Sequence, residues 1–369
     1  MHVEARWMRG GTSKCWVFED RALEATGIPT GDLLPRLFGS PDLRQLDGVG
    51  GASSTTSKAV ILHRNDRPGV DVSFTFAQVG IEEALVDWGS NCGNCSSTVG
   101  LYAVEEGWVP VTDEVTTVTT YNVNTGQTIL QRIPTPGGSL DGSPRVGMPG
   151  SVFPGHEISL GFLDPEGRTT GMKLPAGSPR MLLQARGRSV EATLVDAGAP
   201  LVLLPAEEFV PAASTSDEWS AQVLPHLAVL DELRRVGAVA MGMADSPEQA
   251  ERAVPKLGLV GASPDAEADL QVLMLSMGRP HPAMPITGSV ALTTAARTPG
   301  TVAAELVPGE PGELLRLRTP AGIVTTFTEH VAGSTSVGVH RTARTLAAAQ
   351  LPIPPESLAL RVAREEVEA

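Results

Sequence analysis

The chain repeats one arrangement: a turn of glycine and small polar residues leads into an apolar run suited to a buried helix, with strand-like runs on either side. The first such turn lies within residues 87–99 (DWGSNCGNCSSTV), and the second is Thr287-Gly288-Ser289. Glycine accepts the unusual backbone angles of turns, and serine, threonine and asparagine cap helices. The repeat predicts an internal duplication, with two α+β domains that each contain antiparallel strands and one buried helix.

The predicted boundary lies near the middle of the chain. We assign residues 1–175 to the first domain and residues 176–369 to the second, which carries the helix start at 287–289. Residues 216–237 are predicted to form one long helix, and residues 341–350 and 358–367 two closing helices, the last of which could complete the first domain. The chain has no βαβ alternation and no GxGxxG motif, which argues against a dinucleotide-binding sheet.

Composition limits the class of protein. The chain has 369 residues, of which 41% are hydrophobic and 19% charged, enough for two globular domains. Its net charge of −14 argues against a nucleic-acid partner, whose phosphates it would repel. We also expect no membrane contact, because no signal-peptide core and no apolar run of about 18 residues is present. The three cysteines are then expected to be free thiols in the cytoplasm.

The first turn is where we expect chemistry. A turn before a helix directs unpaired N–H groups and the positive end of the helix dipole at the space above it, which suits a carboxylate. Cys92 lies in this turn, and the same field is expected to lower the pKa of its thiol. The alternative is a plain helix cap with two small buried thiols, Cys92 and Cys95. A zinc site or a thioredoxin-like redox pair is disfavoured, because the chain lacks a second ligand pair and a βαβ setting.

Basic residues give a second group of candidates. The 28 basic residues include only four lysines, which are Lys14, Lys58, Lys173 and Lys256. A partly buried lysine can lose and regain a proton near neutral pH, which arginine cannot. Lys58 opens an apolar strand after a Ser/Thr-rich loop, so its amine could lie at the rim of a cavity; the alternative is an ordinary charge on an edge strand. The loop 9–14 (RGGTSK) could wrap a carboxylate, or be a hairpin turn with solvated charges.

Several motifs, in order over nearly the whole chain, resemble those of the PrpF family. They are MRGGTSK (8–14), SSTTSKAVIL (53–62), NCGN (91–94), VDAGAP (195–200), HPAMPITGSV (281–290) and RTAR (341–344). That family includes 2-methylaconitate isomerase, aconitate Δ-isomerase, methylitaconate Δ-isomerase and 4-oxalomesaconate tautomerase. The resemblance implies a diaminopimelate-epimerase-like fold of two pseudo-symmetric domains, each a β-barrel-like sheet around a central helix, with the active site in the cleft between them. It also implies cofactor-independent proton transfer, with Lys58 and Cys92 at the positions of the catalytic lysine and cysteine.

The sequence departs from the family pattern beside these residues. Cys15 follows the TSK motif where the family usually has glycine, and Cys95 stands where an apolar residue is more common. The second helix opens without a cysteine, unlike the two-cysteine epimerases of the same fold, which argues against an amino-acid racemase. The substrate is therefore expected to differ from those of the best-known members.

We predict an isomerase that moves a proton on a small unsaturated di- or tricarboxylate such as aconitate or methylaconitate. Lys58 and Cys92 are the predicted catalytic residues. The predicted substrate-binding residues are Arg9, Gly11, Thr12, Ser13, Lys14, Ser54, Thr55, Ser57, Asn91, Gly93, Asn94, His281, Thr287, Gly288 and Ser289. For His281, a structural role before Pro282 is the alternative.

No metal, cofactor or macromolecular partner is expected beyond a homodimer. Two other functions stay open. One is a keto–enol tautomerase acting on an oxalomesaconate-type acid, and the other is a carboxylate-binding accessory protein without turnover. A Ser/His/Asp hydrolase has no GxSxG motif to support it.

Overall fold

The computed structural model describes residues 1–64, 67–89, 91–211, 214–252, 254–276, 278–309 and 312–356. These residues form two compact units. One is Met1–Leu160 together with the segment that begins at Arg341, and the other is Gly161–His340. The predicted boundary at 175/176 therefore falls inside the second unit, and the end of the chain returns to the first.

The first unit surrounds its central helix with strands. Its helices are α1 (Asp20–Glu24), α2 (Thr30–Phe38) and α3 (Gly93–Glu105). Its strands are β1 (His2–Gly10), β2 (Ser13–Glu19), β3 (Lys58–His63), β4 (Val72–Val79), β5 (Val86–Asp87), β6 (Glu114–Asn122), β7 (Gln127–Thr135), β8 (Arg145–Val146) and β9 (Gly155–Leu163). Helix α3 contacts six of these strands, β1 to β4 with β6 and β7.

The second unit has the same plan. Its strands are β10 (Met181–Ala185), β11 (Arg188–Ala197), β12 (Ala199–Pro205), β13 (Lys256–Ala262), β14 (Leu270–Ser276), β15 (Arg279–Pro280), β16 (Leu314–Thr319), β17 (Gly322–Val331) and the first part of β18 (Ser334–Pro352), which continues from Arg341 into the first unit. Its helices are α4 (Ser216–Gln222), α5 (Leu227–Ala240) and α6 (Ile286–Ala296). Antiparallel hairpins join β6 to β7, β11 to β12 and β16 to β17.

Strand pairing confirms the predicted duplication. In the first unit β2 runs parallel to β3, β3 antiparallel to β4, and β4 parallel to β6; β12, β13, β14 and β16 repeat this order in the second. The central helix follows a two-residue strand in both units, since α3 lies between β5 and β6 and α6 lies between β15 and β16. The equivalent pairs are Trp16↔Ala59 and Ala59↔Ala77 in the first unit, and Val202↔Leu257 and Leu257↔Leu275 in the second.

Both central helices are enclosed because they are apolar or small on every face. Residues 95–104 of α3 are all buried, as are all 11 residues of α6. On the outer face of each sheet, a separate apolar cluster packs against a further helix, α2 in the first unit and α5 in the second. The mixed strand pairing and the enclosed helices confirm the α+β class. Within the described part of the chain, no helix has both the length and the apolar character needed to span a membrane.

Two predicted helices differ from the structure. Residues 341–350 are not helical but belong to β18, whose last part pairs antiparallel with β1 from Gly10↔Ala343 to His2↔Pro352. Alanine favours a helix, but the backbone groups of β1 offer this segment a full ladder of hydrogen bonds. The predicted helix 216–237 is interrupted at Pro225, so that α4 and α5 are separate. The helix predicted at 358–367 lies outside the described residues.

Candidate active site

Cys92 is the N-cap residue of α3. Its backbone is extended (φ −129°, ψ 96°), and its carbonyl accepts a hydrogen bond from the Ser96 N–H at 3.0 Å. The helix therefore begins at Gly93, and the predicted position of the thiol at a helix start is confirmed. The N–H groups of the first helical turn have no partner inside the helix, so they remain available to an anion.

Lys58 begins β3, and its side chain is held in place from two sides. It is 8% exposed, and its Nζ donates to Gln78 Oε1 at 2.6 Å. The ammonium also lies 4.8 Å from the centre of the Phe76 ring. Gln78 is the register partner of Lys58 on β4, and its Nε2 donates to the Ser57 carbonyl at 2.8 Å, which fixes the amide. Gln78 therefore orients the amine.

The amine and the thiol belong to the same side of the sheet in the first unit, because Ala59 lies in the outer cluster and its neighbour Lys58 therefore points to the face that carries α3. The positive charge of Lys58 acts on the Cys92 thiol and tends to lower its pKa. It has the same effect on Cys95, one turn into α3. The two predicted catalytic residues thus come from different elements, a strand start and a helix start.

The β1–β2 hairpin brings a second set of polar groups to the start of α3. A Cβ on Gly10 would lie 2.2 Å from the Asn94 carbonyl oxygen, so only glycine allows this close approach. In the turn, Thr12 Oγ1 accepts a hydrogen bond from Asn94 Nδ2 at 3.1 Å. Ser13 is 4% exposed, and the Cys92 thiol donates to its Oγ over 3.9 Å. Hydroxyl groups of the hairpin therefore line the space beside the thiol.

Arg9 and Lys14 lie on the other face of this hairpin. Successive strand residues point to opposite faces, so Lys14 points away when its neighbour Ser13 faces α3. The Lys14 ammonium instead lies 5.2 Å from the centre of the Trp7 ring. The Arg9 guanidinium donates to the carbonyls of Gly11 and Thr342, each at 3.0 Å. Arg9 and Lys14 therefore stabilise the hairpin, and they do not point toward the Cys92 thiol.

The Ser/Thr-rich loop before Lys58 fixes the start of β3, and its hydroxyl groups make contacts within the protein or are exposed. The Ser57 hydroxyl donates to the Val79 carbonyl at 2.9 Å and accepts from Gln45 Nε2 at 2.8 Å. Ser54 and Thr55 are exposed, and the Thr55 carbonyl accepts the Lys14 N–H at 2.9 Å. This loop therefore positions Lys58 by fixing the strand start.

Amide side chains that sequence reasoning overlooked secure both sides of the helix start. Asn122 Nδ2 donates to Asn91 Oδ1 at 2.8 Å, directly before Cys92. Within α3, Gln131 Oε1 accepts the Gly100 N–H at 3.0 Å and Gln131 Nε2 donates to the Ser96 carbonyl at 2.9 Å. Asn122 and Gln131 are each fully buried polar residues on a strand of the sheet around α3, and such residues need a hydrogen-bonding partner.

The remaining predicted residues lie in the second unit, at the start of α6. Thr287, Gly288 and Ser289 form its first turn, and the Ser289 hydroxyl donates back to the Ile286 carbonyl at 2.7 Å. His281 Nδ1 accepts the Ala283 N–H at 3.0 Å. Burial lowers the pKa of His281, and the charge of Lys256 lowers it further.

The prediction that the pKa of the Cys92 thiol is lowered is wrong for the net shift, because causes other than the helix start dominate. The pKa of Cys92 is raised well above its usual value, first because its thiol is hydrogen-bonded to the Cys95 thiol and second because it is buried. Cys95 is in turn in contact with Cys15, so the three cysteines form one cluster, and none is in a disulfide. The thiol contact and the burial raise the pKa of Cys92 more than the charge of Lys58 and the helix start lower it. The thiol is therefore held in its protonated form, which suits a proton donor better than a nucleophile.

We expect iodoacetamide to modify Cys92 slowly at pH 7.5, with a rate that still rises above pH 9. Only the thiolate reacts, and a raised pKa moves its formation to higher pH than for free cysteine at about 8.5. The measurement is the rate of modification of the Cys92 peptide, followed by mass spectrometry from pH 6 to 10, with glutathione in parallel. In Lys58→Met the rate should fall further, because the opposing positive charge is gone. A rate that levels off below pH 8 would contradict the protonated thiol.

The first unit thus combines an amine, a thiol and several N–H and O–H donors around one helix start. Within the described ranges, no three His, Cys, Asp or Glu side chains come together as a metal site. A buried amine beside a protonated thiol can accept a proton at one atom and supply one at another. The donors around them can stabilise a carboxylate or a developing oxyanion.

Comparison with known proteins places the chain in a family. The family described as PrpF protein matches residues 1–354. The chain is 33% identical over 348 residues to the 2-methyl-aconitate isomerase of Cupriavidus necator, covering 87% of this chain and 88% of that protein. It is 34% identical to the (4E)-oxalomesaconate Delta-isomerase of a Novosphingobium species, covering 92% and 94% respectively.

Solved structures agree on the fold. A crystal structure of methylitaconate-delta-isomerase superposes with a TM-score of 0.82 at 28% identity, covering 95% of each chain. A probable proline racemase from Agrobacterium radiobacter shares the fold alone, with a TM-score of 0.55 at 14% identity, covering 97% of this chain and 95% of that one. The predicted diaminopimelate-epimerase-like fold is confirmed. The chain is therefore an isomerase and belongs to the PrpF family.

Proposed function

We propose that this isomerase transfers a proton within a small unsaturated di- or tricarboxylate of the aconitate or methylaconitate type, without a cofactor. The reaction either moves the double bond or changes its cis–trans geometry. The observation that carries the proposal is the buried amine of Lys58 on the face of the sheet that carries α3, with the protonated thiol of Cys92 at the N-terminus of that helix. The relatives named for methylaconitate, methylitaconate and oxalomesaconate isomerisation support the substrate class.

In the first step Lys58, as the unprotonated amine, removes a proton from a carbon next to the double bond. The hydrogen bond to Gln78 Oε1 holds Nζ in one direction, so the amine is oriented before the substrate arrives. The negative charge left behind spreads over the conjugated carboxylate as a dienolate. The proton is now on nitrogen, and no other bond has changed.

In the second step the dienolate is stabilised and then protonated. The N–H groups of the first turn of α3 and the hydroxyl groups of Thr12 and Ser13 lie at the helix start that carries the thiol, and they would bind the carboxylate that carries the charge. Cys92 gives its proton to the far end of the allylic system, which moves the double bond and leaves a thiolate; the thiolate regains a proton as the Lys58 ammonium loses one, and both groups are restored. Return of the proton by Lys58 to the first carbon, after rotation, would change the geometry instead.

The same residues could serve a keto–enol tautomerase, which needs the same base but a keto acid as substrate. A carboxylate-binding protein without turnover would have no use for an oriented amine next to a thiol. We also place the enzyme in a reducing compartment such as the cytoplasm, because three thiols lie in contact without forming a disulfide.

The proposal is tested by incubating the purified protein in D₂O with cis- and trans-aconitate, 2-methylaconitate, methylitaconate and oxalomesaconate, each followed by proton NMR. We expect at least one unsaturated acid without a keto group to take up deuterium and to be converted to its isomer. Conversion of oxalomesaconate alone would show the tautomerase instead. Binding without deuterium uptake for every acid would contradict an enzymatic function on this class.

A further inference from the structure

The amine of Lys58 is held by an uncharged amide. Its Nζ donates to Gln78 Oε1 at 2.6 Å, and Gln78 is its register partner on β4. The amide group is fixed in turn, because Gln78 Nε2 donates to the Ser57 carbonyl at 2.8 Å. That carbonyl also accepts the Val79 N–H at 3.1 Å, so it belongs to the backbone of the sheet. Gln78 therefore presents its oxygen to the amine in one direction.

The lack of charge on Gln78 matters because a base must exist in two protonation states. An amide oxygen accepts a hydrogen bond from a neutral amine as well as from an ammonium. A carboxylate at the same distance would form a charge-assisted hydrogen bond, about twice as strong, with the ammonium. Such a pair favours the charged form of lysine by about one to three pH units. An amide orients the amine in both states without retaining the proton.

The thiols on the same side of the sheet add no negative charge at neutral pH. The pKa values of Cys92 and Cys95 are both raised well above their usual value, chiefly by thiol contacts and burial. The third thiol, Cys15 on β2, is fully buried and contacts Cys95. Lys14, the other titratable side chain near the start of β2, points to the opposite face.

A carboxylate does lie on this face, one strand beyond Gln78. Asp87 on β5 is the register partner of Gln78, so both side chains are on the same side of the sheet. The order β3, β4, β5 places two strand spacings, about 10 Å, between Lys58 and Asp87. Salt screens most of the effect of an exposed charge over that distance, and Asp87 is exposed. Gln78 is thus a neutral side chain between the amine and this carboxylate.

We propose that Gln78 is a positioning residue whose neutral amide keeps Lys58 able to give up its proton, and which separates the amine from the Asp87 carboxylate. This inference rests on the proposed function for the role of Lys58 as the base. Glutamate has nearly the same size as glutamine, so the space alone does not select an amide. The identity of residue 78 then sets the pH range in which the enzyme works, although Gln78 itself transfers no proton.

The test compares Gln78→Glu with Gln78→Met, because both lose the donor to the Ser57 carbonyl and only the first gains a charge. Lysine labelled with ¹³C at Cε gives one NMR signal for each of the four lysines, and the signal missing from Lys58→Met belongs to Lys58. We expect the titration midpoint of this signal to rise by about one to three pH units in Gln78→Glu. In Gln78→Met it should stay or fall, since no acceptor replaces the amide.

Gln350→Glu is the matched control for an added charge. Gln350 is an exposed residue of the same unit, so this variant carries the same net charge as Gln78→Glu. It should leave both the midpoint of the Lys58 signal and turnover as in the wild type.

Turnover gives a second readout once the substrate is known. Below the midpoint, the unprotonated share of Lys58 falls about tenfold per pH unit. Gln78→Glu should therefore lose about 10- to 1000-fold in kcat/KM at pH 7.5 and recover activity as the pH is raised. Gln78→Met should lose about 10- to 100-fold in kcat without a shift of its pH profile to higher pH, because the amine is no longer oriented.

The NMR titration needs no substrate, so this inference and the proposed function can fail separately. If no acid is converted, the proposed function fails, while a raised Lys58 midpoint in Gln78→Glu still supports the role of residue 78. Equal midpoints in Gln78→Glu and the wild type would overturn the inference, as would an equal rise in the uncharged Gln78→Met. Asp87→Asn tests the separation with the amide intact, and we expect little change. A fall of about one pH unit or more in the Lys58 midpoint would mean that Asp87 acts directly on the amine, which would overturn the inference.

Discussion

Lys58→Met should fold and lose about 10³- to 10⁴-fold in turnover on the acid identified by the D₂O screen. Methionine has nearly the length of lysine but no group that can accept a proton, so the dienolate cannot form. The substitution leaves Gln78 Oε1 without its donor, which should cost about 1–3 kcal/mol of stability and lower the melting temperature modestly. The measurements are steady-state turnover, deuterium uptake by the substrate and thermal melting.

Two controls separate loss of the base from loss of a charge. Lys58→Arg keeps the positive charge but cannot become neutral, so it should be as inactive as Lys58→Met. Lys173→Met removes an exposed lysine and should leave turnover unchanged. If Lys58→Met keeps turnover within about tenfold of the wild type, Lys58 is not the base and the proposed mechanism fails.

Much of the fold could be predicted from the sequence because local signals and tertiary structure agree. The two small-residue turns do open the two enclosed helices. The strand at 341–350 could not be predicted, because its alanines favour a helix locally and only the distant strand β1 decides otherwise. The interruption of the helix at Pro225 could have been predicted from the sequence, because proline has no backbone N–H group to donate to the helix.

The candidate site could be predicted from the sequence where it depends on a rare residue type. It could not be predicted where it depends on which face of a strand a residue occupies. Lys58 and Cys92 were chosen as candidates because lysine is scarce and because the turn at 87–99 has helix-cap composition, and their catalytic roles stay a prediction. A motif such as RGGTSK does not show that Ser13 faces α3 while Lys14 faces away; that follows only once both residues are known to lie in one strand. The sign of the Cys92 pKa shift depends on two further thiols, of which one comes from another strand. No local sequence pattern predicts the contact between these thiols.

Cys92→Ser should separate proton removal from isomerisation. The hydroxyl fits in place of the thiol but is a far weaker acid, so return of the proton at the far carbon should slow about 10²- to 10⁴-fold. Lys58 still removes the first proton and can return a deuteron to the same carbon. We therefore expect this variant to exchange deuterium at the first carbon in D₂O while forming little isomer, and proton NMR reports both events in one sample.

The pattern of exchange decides whether Cys92 is the proton donor. Cys15→Ala is the matched control, because it also removes one thiol of the cluster, but Cys15 is fully buried and contacts Thr98 Oγ1 at 3.8 Å; it should convert substrate within about threefold of the wild type. Equal loss of exchange and conversion in Cys92→Ser would mean that the thiol is needed before proton removal, for binding or for orienting Lys58. Conversion at the wild-type rate would leave Cys92 only its role as a helix cap. Exchange without conversion is the one result that a purely structural cysteine cannot produce, since a helix cap has no means of acting on the second carbon alone.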